Sequence, residues 1–522
     1  MSGLSSLVLC RSFYLKGMNG MQRRGFRAIA PWLSVALISS VLSACTGSQS
    51  ASDGKGSTDN APTASNKPFK YSTMVSTFAE VPDMKNQFWT RFQKENNLEM
   101  DVQWIPDPEF QTKLNLAIAS GQLPDVVSAQ NPNDVNTMNA VDKGVFWDLG
   151  PFLGDLSKYP NLKKNIPEAA WKYSKYKGTY YFIPRARAQI NTGYLIRKDL
   201  LDEVGLPVPQ TTDDLYNALK QIKAKDTSGK LIGTLFFENM ASAFGSFNPQ
   251  YNAEGGLYRN VLTDGYTKMV EWYHKLYQEG LMTPEFSAVK GAEPDNFFAA
   301  GKTVFHTKNF WHQYRMEQEN KKLKPTAKVE IVPFIKGPGG AAAYLEPGYT
   351  GGLFIPKSVP EDKVKKLLDV FNLAAGDENS KALFYGYEGT HHKVENGKYI
   401  MSDIGLKEIQ SFTPDPFSIK RNEWDKVDSP LAPIEVDLAN REKVKVLYNT
   451  LTVDPFKIIS SPTWTAEWPK YSDEFEKKRT EAIMGKISMD DYKKFIDGLR
   501  NNAALKKAFL EQAQSYKEYF GK

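Results

Sequence analysis

Ala117-Ile118-Ala119-Ser120-Gly121-Gln122-Leu123-Pro124-Asp125-Val126-Val127 holds the end of an apolar helical face, a glycine stop and the start of a buried strand. Upstream, Phe110, Leu114, Ala117 and Ile118 recur at the helical period, and Asp107 is placed to cap a helix whose first position is Pro108. Gly121 ends that helix, and Asp125 to Val127 reads as a strand. Further out, Met100 to Ile105 predicts a second strand. Phe88, Trp89 and Phe92 predict a helix, and Phe69 to Met74 an opening strand. Strands alternating with amphipathic helices indicate an α/β body with mostly parallel sheets flanked by helices. Later in the chain, Ser358 and Glu361 make a capping box around Pro360, ahead of Val364, Leu367, Leu368 and Phe371 at helical spacing.

The N-terminal segment has a different character. Arg23, Arg24 and Arg27 precede an apolar run from Ala28 to Leu42, and the small residues Ser43 and Ala44 stand before Cys45. That order is a lipoprotein export signal, with residues 1–44 removed and lipid placed on Cys45. The run of about 15 apolar residues is shorter than the roughly 20 a permanent spanning helix needs. A signal of ordinary length starts at Met18 or Met21. Residues 45–68, rich in Ser, Asp, Asn, Gly, Ala and Pro, have little to bury and read as a flexible tether.

The chain carries a formal charge of +6, but five basic residues and no acidic one precede Cys45, so the remainder sits near +1. A nucleic-acid partner is disfavoured. Cys10 and Cys45 are the only cysteines, which leaves no disulfide framework and no cysteine metal site.

The opening stretch resembles a signature of extracellular solute-binding proteins that serve sugar-type ABC importers. The resemblance continues in order. It runs through Gly144-Val145-Phe146-Trp147-Asp148-Leu149, Tyr181-Phe182-Ile183-Pro184-Arg185 and the run Asn191 to Leu201, then Gly205-Leu206-Pro207-Val208-Pro209 and a helix opening at Thr211 or Thr212. Phe297 to Lys302, Gly351 to Lys357 and Phe384 to His392 complete it. The last is similar to a long lipoprotein branch of that family, which includes binders of acidic oligosaccharides. The resemblance implies a two-lobed periplasmic-binding-protein-like fold, ligand held between the lobes, hinge closure and no cofactor. It implies crossings near 187–193 and 332–337 and a return shortly after Lys398. The N-terminal lobe is then 69–188 plus 337–400 and the C-terminal lobe 189–336 plus 401–522. The implied partners are an oligosaccharide, ABC permease subunits and the outer face of the cell membrane, with the protein itself a monomer. Members of the branch often carry a calcium loop that this chain replaces with Asp226-Thr227-Ser228-Gly229-Lys230, too few oxygens for calcium.

A sugar needs flat aromatic platforms and hydrogen-bonding partners. Trp311, in the polar-aromatic run Asn309 to Tyr314 after the expected strand Thr303 to His306, is a ligand candidate by its loop position. Trp464, between Ser461 and Thr465, is another on loop context, and Tyr349 a third because of Gly348, Gly351 and Gly352 around it. Arg185 follows a predicted strand and serves either a ligand carboxylate or a lobe-to-lobe ion pair. Asn131 is a hydroxyl partner or, with Pro132, a plain turn. Lys308 and Glu388 are further candidates or simply solvated. Trp272 shares a helical period with Met269, Tyr273 and Leu276, which favours core packing over ligand. The histidines lack a third metal ligand at the expected spacing, and no nucleophile, zinc or phosphate-loop motif occurs. A surface glycoside hydrolase or lyase and a receptor for peptides or another small solute stay open as alternatives, because paired carboxylates and aromatic pockets suit those too.

Overall fold

The computed structural model describes residues 67–77, 81–289, 293–409, 419–420 and 423–521. The export signal, Cys45 and all but the last two residues of the expected tether lie outside them. Among the described residues no helix is long and apolar enough to cross a membrane.

The chain opens with β1 (Phe69–Thr77), the helix Gln87–Glu95, β2 (Leu98–Pro106), the helix Asp107–Ser120 and β3 (Val126–Ala129). β1 lies between β2 and β3 and runs parallel to both. β4 (Phe182–Ala186) completes the first pass through this sheet. Gly121 ends its helix in the left-handed conformation at φ +69°, as its place in the sequence suggests. The helix itself starts one residue early. Pro106 is its N-cap, and Asp107 makes no side-chain capping bond because it already occupies the first turn.

The chain then crosses into a second sheet. β5 (Gly193–Arg197) is its central strand, with β6 (Phe305–Lys308) and β7 (Val329–Val332) on either side, both antiparallel to it. A small hairpin, β8 (Lys336–Gly337) and β9 (Gly340–Ala341), follows. β10 (Tyr349–Phe354) returns to the first sheet and inserts between β3 and β4, antiparallel to both.

Strand direction therefore departs from the mostly parallel expectation, and the crossings are the reason. β5 and β10 are the strands that enter directly from the other half. Each starts at the crossing edge and runs away from it, whereas β3, β4, β6 and β7 run towards it. The helical periodicity carried no information about which strand would begin at that edge.

Two large apolar cores follow from this arrangement. The first joins Phe88, Trp89, Phe92, Phe110 and Leu114 to Phe182, Leu353, Phe354 and the helix Glu361–Ala374. Val364, Leu367, Leu368 and Phe371 are buried there, but no capping box forms: Pro360 is the N-cap and makes no side-chain bond. The second joins Tyr194, Ile196 and Phe305 to the helices Thr212–Lys225 and Asp264–Gln278 and to C-terminal residues from Phe475 to Phe509. Thr211 and Asp214 form a reciprocal capping box at the first of these helices.

The hairpin β8–β9 stays with the second core, because Ile335 and Ala342 are buried in it. Glycine allows this: a Cβ on Gly337 would lie 2.4 Å from the Ala243 carbonyl oxygen. The chain thus leaves that core after Ala342, later than a handover at 337. Ile409 and Ile419 pack in the first core. The last helix, Ala503–Phe520, starts in the second core at Leu505 and Phe509, and its end, Tyr519 and Phe520, packs against the first.

Gly193, the first residue of β5, marks the tightest point of the crossing. A Cβ there would stand 2.2 Å from Cζ of Phe310, a fully buried ring that has nowhere to move. Gly193→Ala is expected to lower the unfolding free energy by about 1–3 kcal/mol, read from the urea midpoint. An unchanged midpoint contradicts this packing.

Candidate ligand-binding site

Two extended segments carry the chain between the sheets, and a third, 452–454, lies beside them. Arg187 N donates to Gly348 O at 2.8 Å and Glu346 N to Gln189 O at 2.8 Å. Leu345 N donates to Thr452 O at 3.0 Å, and Asp454 N donates back to Leu345 O at 3.2 Å. The segment 345–348 is therefore held from both sides.

Buried charges sit on this ladder. Glu346, 7 % exposed, accepts from Asn191 Nδ2 at 3.0 Å and pairs with Lys457 Nζ at 2.6 Å. Asn191 in turn accepts two bonds from Asn309 Nδ2, at 2.7 Å on its carbonyl and 2.8 Å on its side chain. A polar chain thus runs from the loop after β6 through the first crossing to the third. Burial works against the Lys457 ammonium, but Glu346 outweighs it and the pKa is raised. Asp454 Oδ1 accepts from Phe456 N at 2.9 Å, yet burial pushes its carboxyl up to about 6, partly offset by that bond, Lys457 and Arg259. Burial also lowers Arg259 to about 10 while its Nη2 donates to Phe456 O at 2.9 Å.

The sequence candidates divide around this ladder. Trp464 is half-buried, with the Arg259 guanidinium carbon 5.8 Å from its ring centre. It does not lie in a loop: Ser461 caps the short helix Pro462–Glu467, which carries Trp464 and stacks it on Trp468 at 4.4 Å. Proline at the first helical position and serine before it are a helix-start signal that the loop reading passed over. Trp311 is half-buried and stacks on His312 at 3.6 Å, and its backbone N–H donates to Lys426 O at 3.1 Å. Lys308 pairs with Asp295 at 2.9 Å. The strand carrying Lys308 runs two residues past the expected end at His306, and Lys308 registers opposite Gly193.

Tyr349 and Arg185 lie in the first sheet. Tyr349 is buried, donates its hydroxyl to Tyr173 O at 3.0 Å, accepts from Asn133 Nδ2 at 3.2 Å, and is pushed by burial up to about 12. Arg185 is inside β4, buried, and donates to Ser128 Oγ at 3.3 Å. Asn131 is exposed in a turn at the end of β3, and Glu388 is exposed before β11 (His392–Glu395), well along the chain from the crossings. Trp272 packs half-buried against Phe244 and Tyr273 in the second lobe. The Asp226 carboxylate closes its own turn, accepting from Ser228 N, Ser228 Oγ and Leu231 N.

Sequence reasoning passed over Asn191, Asn309, Glu346, Asp454, Lys457 and Arg259, which scatter over more than 260 positions and share no motif. A cavity of about 780 Å³ bounded by Arg197, Glu203, Asp226, Lys230 and Lys302 lies at the opposite end of β5 from the crossings.

Residues 77–378, more than half of the chain, match the family model described as bacterial extracellular solute-binding protein. The chain belongs to that family. This solute-binding protein is 26% identical over 513 residues to the polygalacturonan/rhamnogalacturonan-binding protein YtcQ of Bacillus subtilis (strain 168), spanning 93% of this chain and 97% of that one. It is 25% identical over 495 residues to the lipoprotein LipO of the same organism, spanning 90% and 94%. A solved structure described as an HMO-binding, ABC-transporter-associated solute-binding protein from Bifidobacterium longum infantis superposes with a TM-score of 0.64 at 19% identity, over 87% of this chain and 99% of that one. The two-lobed α/β fold is common to these solute-binding structures, and the crossings of this chain are the joint between its lobes.

Asp454 gives the joint a pH dependence of defined sign. Its folded pKa lies above that of the unfolded chain, so its contribution to stability is fully present below about pH 4 and is lost as pH rises through about 6. Asp454→Asn keeps an acceptor for Phe456 N and removes the charge. Urea unfolding at about pH 4.5 and about pH 7.5 is expected to show that about 2 kcal/mol of pH-dependent loss disappears in the variant. Identical pH dependence in both proteins contradicts the assignment.

Proposed function

We propose that this protein is a membrane-tethered receptor outside the cell that captures an oligosaccharide between its lobes and delivers it to an ABC permease, with no reaction on the chain itself. The end-to-end match to a polysaccharide-binding relative carries this reading. The crossing edge supports it chemically. Trp311 and His312 offer a flat face, and Asn309, Asn191 and the charged groups beside them offer hydrogen bonds suited to a rim of hydroxyls. Lipid on Cys45 holds the receptor at the outer face of the membrane, a reading supported by the sequence around Cys45 and by the similarity to LipO. The receptor acts as a monomer.

Two measurements test this. Thermal unfolding of the protein without its export signal is run against oligosaccharides, amino acids and short peptides. A bound ligand at a hundredfold excess over its dissociation constant raises stability by about 2.7 kcal/mol. Stabilisation confined to sugars is the expected result. Stabilisation by peptides alone, or sugar turnover abolished by a single carboxylate replacement, contradicts it. In the producing cell, Cys45→Ala is expected to move the protein from the membrane fraction to the medium, and retention on the membrane contradicts lipid anchoring.

A further inference from the structure

The charges at the joint are balanced: Glu346 and Asp454 face Lys457 and Arg259. The charges at the end of β6 are not. Asp295, on the helix Glu293–Ala299, is the carboxylate that His306, Lys308 and Arg315 share among the described residues. His306 Nε2 lies 3.0 Å from its Oδ1, Lys308 Nζ 2.9 Å from its Oδ2, and Arg315 Nη2 3.7 Å from the same oxygen. Burial alone would raise the Asp295 carboxyl, but the bonds from His306 and Lys308 outweigh it and hold it well below the usual carboxylate range. It is an anion with two permanent cations against it.

His312 does not redress the balance. Its Nδ1 lies 2.9 Å from Arg315 Nη2, so the imidazole accepts and stays neutral. Burial and the neighbouring Arg315 charge bring it down to about 4. Arg315 Nε is buried and has no hydrogen-bond partner among the described residues. Both cations are reachable, with Lys308 30% and Arg315 38% exposed. Asp425 and Lys426 add no net formal charge on the segment that accepts the Trp311 backbone N–H, and Glu293 stands exposed at the start of the Asp295 helix.

This surplus charge stands at the crossing edge, where Lys308 registers with Gly193, and beside the stacked Trp311 and His312 rings. A flat aromatic face next to under-used cationic donors matches a sugar ring that carries a carboxylate. We propose that Lys308 and Arg315 are specificity-determining residues that take a ligand carboxylate, so that the protein selects uronate-bearing oligosaccharides over neutral ones. This rests on the receptor reading above.

The test is calorimetric titration of the mature protein with galacturonate, glucuronate and mannuronate oligosaccharides, each beside its methyl ester, and with neutral oligosaccharides. At least one acid is expected to bind about tenfold or more tightly than its ester, the usual order for losing a charge-assisted hydrogen bond. Lys308→Gln and Arg315→Gln should each remove most of that preference, weakening binding of the acid far more than that of its ester. Lys308→Arg should keep the preference, which a purely structural role for the position would not require. Acid and ester bound equally, or both weakened alike by the glutamine variants, overturns the charge assignment. Neutral sugars bound without any acid overturns it too, and in each of these cases the oligosaccharide receptor stands. Binding of no sugar of either kind overturns the receptor reading and this inference together.

Discussion

The backbone ladder across 187–191, 345–348 and 452–454 is the constraint on which the rest of this molecule depends. Its amides are paired between segments rather than within either sheet, so the crossings are tied to one another by main-chain bonds that do not depend on side-chain chemistry short of proline. The ladder sets the direction of β5 and β10, and with it the antiparallel pairs those two strands make in their sheets. It also fixes which strand ends and loops face the crossing, and so where a ligand can meet both lobes.

A joint of this kind must be strong in cross-section and soft in rotation. The Glu346–Lys457 pair and the Asn309–Asn191–Glu346 chain supply lateral ties around it. Glu346 is buried but Lys457 is 38% exposed, so the pair contributes little net stability. The Ala503–Phe520 helix adds a further tie, since Tyr519 donates to Lys175 O at 2.8 Å on the other lobe. In the proposed receptor, hinge motion would have to be absorbed by these few contacts while both apolar cores stay intact.

Local structure in the first lobe was legible because it is governed by local rules. Gly121 adopts the left-handed turn its position demanded, and Phe88, Trp89, Phe92, Phe110 and Leu114 are buried as their spacing predicted. Met269, Tyr273 and Leu276 likewise fall on one buried face, with Trp272 at its margin. What local rules do not encode was missed or displaced. Pairing direction depends on where a crossing enters. The capping box at Ser358 lost to the proline that ends as N-cap. Trp464 is presented by a helix instead of a loop. The charged joint assembles residues from Asn191 to Lys457 whose proximity exists only in three dimensions. Lys308 and Trp311 were legible as candidates because they follow the expected strand end at His306, although the strand runs on through Lys308. Asp295 and Arg315, which give Lys308 its setting, were not, because they come from two different helices.

The central claim is that the lobes are rigid bodies around a closing joint, and ligand can shift that equilibrium only as far as it prefers the closed form. Small-angle X-ray scattering of the mature protein, with and without a saturating oligosaccharide, addresses this most directly. The account predicts a smaller radius of gyration in the ligand-bound state. An unchanged radius at demonstrated saturation would contradict it.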